Sequence, residues 1–258
     1  MAERTKYAPG TFSWADLATT DLEAAKRFYG GLFGWQAEDM PVPGGAYYSM
    51  QRVDGKDVAA IAPQPPAQRD AGVPPTWQSY ITVESADAAA QRAGELGGTV
   101  HAEPFDVMEA GRMAVIQDPQ GAFFMVWQAN NHIGASLVNA PGALCWNELA
   151  SPDLDAAPDF YGKLFGWSTE PFEGGPMRYL TIKNGDATNG GMREKQPQEP
   201  PYWLVYFAVE DVEASMARAS ELGGNTIAGP FEMAMGKIGV VQDPQGAVFA
   251  LYTGRLEP

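Results

Sequence analysis

The sequence predicts an α+β protein built by tandem duplication: four βαβββ modules in two similar domains, with curved sheets enclosing a cavity in each. Three observations predict it. Residues 14–35 (WADLATTDLEAAKRFYGGLFGW) align without a gap with residues 146–167 (WNELASPDLDAAPDFYGKLFGW) at 14 of 22 positions. Later landmarks recur in the same order: ELGG at 95–98 and 221–224, Pro104-Phe105 and Pro230-Phe231, QDPQGA at 117–122 and 242–247. Such spacing marks a repeated structural unit. Finally, each copy divides again into two halves that run strand, helix, strands.

The elements follow in order. Residues 12–18 alternate like a half-buried strand. Thr20 with Glu23 three positions on reads as a capping box. Leu22, Ala25, Tyr29 and Leu32 then recur at helical spacing, and the glycines of 30–34 help to end the helix. Extended segments are expected at 46–53 and 58–61. In the second half, 77–83 is a strand, Ser85 caps a helix running to Leu96, and Gly97-Gly98 stops it. Three short strands close the unit, the last at 122–128 after the turn 118–121, whose Gly121, like Gly246, suits positive φ. The second copy repeats this at 144–150, 153–165, 177–183, 203–209, 212–222 and 248–253. The proline-rich stretches 63–75 and 197–201 read as loops. Residues 129–141 form a polar, Gly/Pro-punctuated linker with its boundary near Ile133, giving domains at 8–130 and 140–256.

Composition narrows the function. Of 258 residues, 45% are hydrophobic and 19% charged, so the chain folds rather than stays disordered. Its 17 Lys plus Arg against 32 Asp plus Glu leave a net charge of −15, which repels phosphate backbones and anionic lipid; no nucleic-acid or membrane partner is expected. With no signal-peptide pattern and no long apolar run, a soluble cytoplasmic protein is expected. The lone Cys145 excludes an internal disulfide, and no phosphate-cradling GxxxxGK[ST] run or Cys-His constellation occurs.

A strand and helix ending in FY..LFGW, a second strand and helix ending in ELGG and a closing DP.G turn resemble the vicinal oxygen chelate superfamily. That superfamily holds glyoxalase I, the bleomycin and fosfomycin resistance proteins and the extradiol dioxygenases. Within it the chain is most similar to two-domain glyoxalase-like bacterial proteins often labelled hydroxylase or 27 kDa antigen. In metal-dependent members, His or Glu on the first and last strands of each half holds a divalent cation. Carried onto this sequence, the first-strand column falls on Trp14 and Trp146, and the last-strand column on Met125 and Ala250. The inner columns fall near Ala60 and Gln78, and near Gly191 and Leu204. Among these columns only Gln78 has a hard oxygen or nitrogen donor, and no metal and no other cofactor are expected. His101 and His132 lack partners at ligand spacing.

Strand residues two apart share a face. Trp14 should therefore bring Phe12 and Asp16 into one cavity, and Trp146 should bring Leu144 and Glu148 into the other. Gln78, Met125 and Trp127 complete the first lining; Leu204, Ala250 and Tyr252 complete the second. Trp14 and Trp146 either line a ligand cavity or fill the space of the vanished metal. Trp35 and Trp167 read as packing residues. Asp16 and Glu148 are the candidate catalytic groups, as general bases, or else structural acids.

The expected function is metal-free binding of a planar aromatic or polyketide-like metabolite, preferentially cationic given the acidic charge, for sequestration, self-resistance or delivery. One alternative is a metal-independent enzyme, hydroxylase-like or an isomerase or lyase, that uses Asp16 or Glu148. Another is a metal-dependent glyoxalase or dioxygenase with atypical ligands. The duplication suits either a monomer with pseudo-twofold domain pairing or a homodimer.

Overall fold

The computed structural model describes residues 2–174 and 177–256. In the first domain, β2 (Phe12–Thr19), α1 (Leu22–Phe33), β3 (Gln36–Pro41), β4 (Tyr47–Val53) and β5 (Lys56–Pro63) form one module. After the short α2 (Pro66–Asp70) come β6 (Thr76–Thr82), α3 (Ala86–Glu95), β7 (Thr99–Val107), β8 (Gly111–Gln117) and β9 (Phe123–Ala129). The second domain runs β11 (Leu144–Ser151), α4 (Ala157–Phe165), β12 (Ser168–Pro171), β13 (Tyr179–Asn184) and β14 (Ala187–Glu194). It ends with β15 (Tyr202–Ala208), α5 (Val212–Glu221), β16 (Asn225–Met233), β17 (Gly236–Gln242) and β18 (Val248–Gly254). Each domain is one open eight-stranded sheet, ordered β3-β4-β5-β2-β6-β9-β8-β7 and β12-β13-β14-β11-β15-β18-β17-β16. Two short strands, β1 (Ala2–Glu3) and β10 (Leu137–Val138), pair outside both sheets. The four βαβββ modules are thus as the sequence predicts, and no described helix is long and apolar enough to cross a membrane.

Several local expectations need correction. The cap of α1 is Asp21, not Thr20: its carboxylate accepts from the Ala24 amide at 2.9 Å. A carboxylate near the positive end of the helix is favoured over a hydroxyl one residue earlier. Helix α4 begins at Ala157 rather than at 153, because Pro158 lacks an N–H and is tolerated only in the first turn. The preceding residues form a turn in which Asp153 Oδ1 accepts from the amides of Asp155 and Ala156, both at 3.0 Å. The stretch expected as a loop at 63–75 contains α2, again opening on a proline. Gly121 and Gly246 do take positive φ, at 106° and 107°.

The cores show how the duplicates fit. Helix α1 and the sheet face beneath it, with Phe28, Tyr29 and Trp77, share a core with β15, β18 and α5 of the other domain, through Phe207, Met216 and Phe249. Symmetrically, α3 and Phe124 of the first domain share a core with α4, Tyr161 and Trp203 of the second. Each module therefore buries its helix side against a module of the other copy. Tyr29 donates to Asp243 at 3.0 Å and Tyr161 to Asp118 at 2.8 Å, so the helix of each FY..LFGW motif holds the DPQG turn of the opposite domain. Trp77 and Trp203 in turn donate to those tyrosine hydroxyls, at 2.9 and 3.0 Å. Trp35 and Trp167 are buried packing residues whose indoles bond the Gly142 and Gly10 carbonyls at 2.7 and 2.8 Å.

Candidate functional site

With the helix sides used up between domains, the opposite sheet faces are what remain for chemistry. β2 and β11 carry a residue to those faces in matching register: Trp14 lies opposite Tyr80, and Trp146 opposite Tyr206. Between Phe12 and Trp14 the pairing with β6 shifts, because two steps along β2 answer one along its partner; β11 does the same between Leu144 and Trp146. A bulge of this kind reverses the alternation of faces. The expectation that Phe12 and Leu144 line the cavities is therefore wrong. Phe12 packs at the domain seam against Trp167 and Trp203, with ring centroids 5.4 and 4.9 Å away, and Leu144 belongs to the other seam core.

The remaining residues do gather. In the first domain, Trp14, Met125 and Trp127 form one buried cluster with Tyr80, Met50 and Ala60. Asp16, paired in register with Ala60 and Gln78, points into the same face. The Trp14 indole N–H donates to the Tyr48 hydroxyl at 2.9 Å; Tyr48 and Tyr80 donate to Asp16 Oδ2 at 3.0 and 2.7 Å. Burial pushes the Asp16 carboxyl up to about 6, against the pull of the two hydroxyls toward the ionised form. Burial first, and then the neighbouring Asp16 charge, hold Tyr48 and Tyr80 well above the ordinary phenol range.

The second domain repeats the network with different charges. Trp146 donates to the Tyr179 hydroxyl at 2.9 Å, and Glu148 takes the place of Asp16, with Tyr179 and Tyr206 held well above the ordinary phenol range by burial first and then by the Glu148 charge. Gly191, paired with Glu148 where Ala60 pairs with Asp16, leaves room that the Tyr179 ring fills; a Cβ there would fall on that ring. Arg193 occupies the position of Ala62 and donates through Nε to Glu148 at 2.7 Å and through Nη1 and Nη2 to Glu199, both at 2.6 Å. Tyr202 also donates to Glu199, at 2.8 Å. Burial works against the Arg193 charge, but Glu199 and Glu148 more than offset it and raise its pKa; Glu199 is lowered, its own burial being outweighed by Arg193. Leu204 and Ala250 form the buried floor, with half-buried Trp146, Tyr202, Ile238, Val240 and Tyr252 around it. Cys145 sits at the bulge beside Trp146, where burial pushes its thiol up and away from the reactive thiolate.

The two faces differ in cover. Trp14 is only 3% exposed and Trp127 5%, whereas the second face keeps its aromatic rim partly open. Sequence reasoning missed Tyr48, Tyr80, Tyr179, Tyr206, Arg193 and Glu199. The tyrosines had a signal: WQSY at 77–80 recurs as WLVY at 203–206. Arg193 had none, because its counterpart is an alanine.

A profile of the Glyoxalase/Bleomycin resistance protein/Dioxygenase superfamily matches residues 11–126 and 141–251. The chain belongs to this superfamily. A protein of Mycobacterium tuberculosis named CFP32 and provisionally described as a glyoxylase is 46% identical over 255 residues, covering 97% of each chain. The anthracycline biosynthesis protein DnrV of Streptomyces peucetius is 36% identical over 265 residues, covering 96% of this chain and 94% of its own. Among solved structures, the Mn(II)-bound glyoxalase of Novosphingobium aromaticivorans matches with a TM-score of 0.66 at 16% identity, covering 95% of this chain and 82% of that one. The 2,3-dioxygenase LapB of Pseudomonas sp. KL28 matches at 0.64 and 14%, covering 97% and 96%. At those identities the likeness concerns the fold alone.

Superfamily membership raises the question of a metal, and the donor set answers poorly to it. Trp14, Ala60 and Met125 in one domain, and Trp146, Gly191, Leu204 and Ala250 in the other, offer no imidazole or carboxylate; Gln78 alone brings an oxygen. Among the described residues no group of three or more His, Cys, Asp or Glu could hold an ion. The side chains at these columns do not fit a divalent cation.

Proposed function

We propose that this protein is a metal-free member of the superfamily that binds a planar aromatic or polyketide-like small molecule on the concave face of its second domain, for sequestration, self-resistance or delivery. The observation that carries this reading is the half-buried rim of Trp146, Tyr202 and Tyr252 with Ile238 and Val240 around Glu148, Arg193 and Glu199. Flat rings stack on such walls with about 0.5–1.5 kcal/mol per pair beyond area burial. Arg193 is engaged by two carboxylates, so the site presents a net negative charge, as does the whole chain at −15; both favour a cationic ligand. A relative named for anthracycline biosynthesis agrees with this ligand class. The test is quenching of tryptophan fluorescence by proflavine, a flat cation. Saturable quenching is expected in the wild type, weakened about two- to tenfold in Trp146→Ala; a folded protein that shows none overturns the reading.

A second reading has support of its own. A carboxyl held at about 6 between two tyrosines is suited to act as a general base near neutral pH, which favours a metal-independent enzyme using Asp16. Under that reading Asp16→Asn abolishes turnover of the bound metabolite, and under the first it leaves ligand uptake by the second domain intact.

A further inference from the structure

The first domain carries the same Trp, Tyr and acid network yet presents a closed face, and the chain between the domains closes it. Within residues 130–138, His132, Ala135 and Val138 lie against the face of the first sheet that carries Trp14. Ala135 N–H donates to the Ser13 carbonyl at 2.7 Å, and Gly134 lies so close that a Cβ there would fall on the same carbonyl. Tyr7 donates to Ala135 O at 2.6 Å, and β10 is pinned by pairing with β1. Ala135 and Val138 join the cluster of Trp14, Tyr80 and Met125.

This segment delivers one flat ring to the site. The His132 imidazole stands edge-on to Trp14, with centroids 4.7 Å apart and planes at 85°, and to Trp127 at 6.1 Å and 71°. Its backbone is held firmly, the amide to Ala110 O at 3.0 Å and the carbonyl by the Trp127 indole N–H at 2.8 Å. The ring is held differently: Nε2 is buried without a hydrogen-bond partner. A histidine kept for structure would satisfy its buried nitrogen. Here indole walls hold a heteroaromatic ring by its shape alone, which is how a pocket holds a ligand.

We infer that the first concave face is a second binding site, for a small flat heteroaromatic ligand, closed in the resting molecule by the linker, with the His132 ring standing in the ligand's place. The inference rests on the reading of these faces as aromatic-ligand sites and extends it to the first domain.

The test is imidazole binding to His132→Ala, with His132→Phe as a control that keeps the space filled. A ligand of so few atoms binds at roughly millimolar strength, so at roughly ten times its Kd it should raise the Tm of His132→Ala by about 3–6 °C. The wild type and His132→Phe should not respond. A folded His132→Ala that ignores imidazole, or a wild type that responds equally, overturns the inference. Should His132→Ala fail to fold, excess benzimidazole on the wild type replaces it. Increased deuterium uptake across 130–138 shows the plug displaced, and unchanged uptake overturns the proposal. Proflavine quenching through Trp146 is scored separately, so its loss would sink the second-domain reading and leave the imidazole result to judge the first face.

Discussion

Asp16 shows how one buried group ties the site to stability. Its folded value of about 6 lies above the ordinary 3.8, so the native state holds the proton more tightly than the unfolded chain does. The contribution to stability is therefore fully present in acid and is lost as pH rises from about 4 through about 6, a loss on the order of 3 kcal/mol. Asp16→Asn cannot titrate. Urea unfolding of both proteins at about pH 4 and about pH 7 should show the wild type losing that amount relative to the variant; parallel behaviour would mean that the carboxyl is solvated. At this scale the sequence was only partly legible. Trp14, Asp16, Trp146 and Glu148 were visible because the duplication aligns them. The parity of Phe12 and Leu144 was not, because a bulge leaves no mark in residue types such as Phe-Ser-Trp or Leu-Cys-Trp. The sequence offered His132 only as a metal ligand or a catalytic base, and nothing in its linker position pointed to the indole it meets.

The two first helices compare cap chemistry directly. Asp21 and Asp153 occupy the same position in the repeat, and both accept amide bonds, but only Asp21 caps a helix that starts at once; Pro158 delays the other. Asp21→Ala should thus destabilise the protein by about 1 kcal/mol, as a lost N-cap does, and urea denaturation checks it. The strands were well read wherever Gly, Pro or Asp bounded them, and ends agree within a few residues. Helix α2 was invisible because a five-residue turn opening on proline has the composition of a loop. The first-domain and second-domain elements differ most where the site differs: β5 and β14 are equivalent strands, and the exchange of Ala62 for Arg193 gives the second-domain acid a cationic partner that Asp16, held by tyrosine hydroxyls, lacks.

For the whole molecule, the motif that betrayed the family turns out to serve assembly. FY..LFGW and DPQG meet across the domain boundary, through Tyr29 with Asp243 and Tyr161 with Asp118. Tyr29→Phe or Tyr161→Phe removes a hydroxyl that both donates and accepts in a buried setting and should cost about 1–3 kcal/mol. The two seams are separate, so the double variant should add within about 0.5 kcal/mol while unfolding remains a single transition. A chain that unfolds domain by domain would contradict the shared cores. The duplication announced that the two domains could pair, but no residue pattern announced which faces they share, since each copy taken alone looks like a complete sheet with its helices.

This reciprocal clamp also limits how a visitor can come in. Two bodies bolted back to back in this way have no hinge between them, so neither bowl can be opened by swinging one half away from the other. Access has to come from the free ends of the hairpins or from lifting the strap across the first bowl. Dynamics measured at the boundary should stay quiet while those margins move.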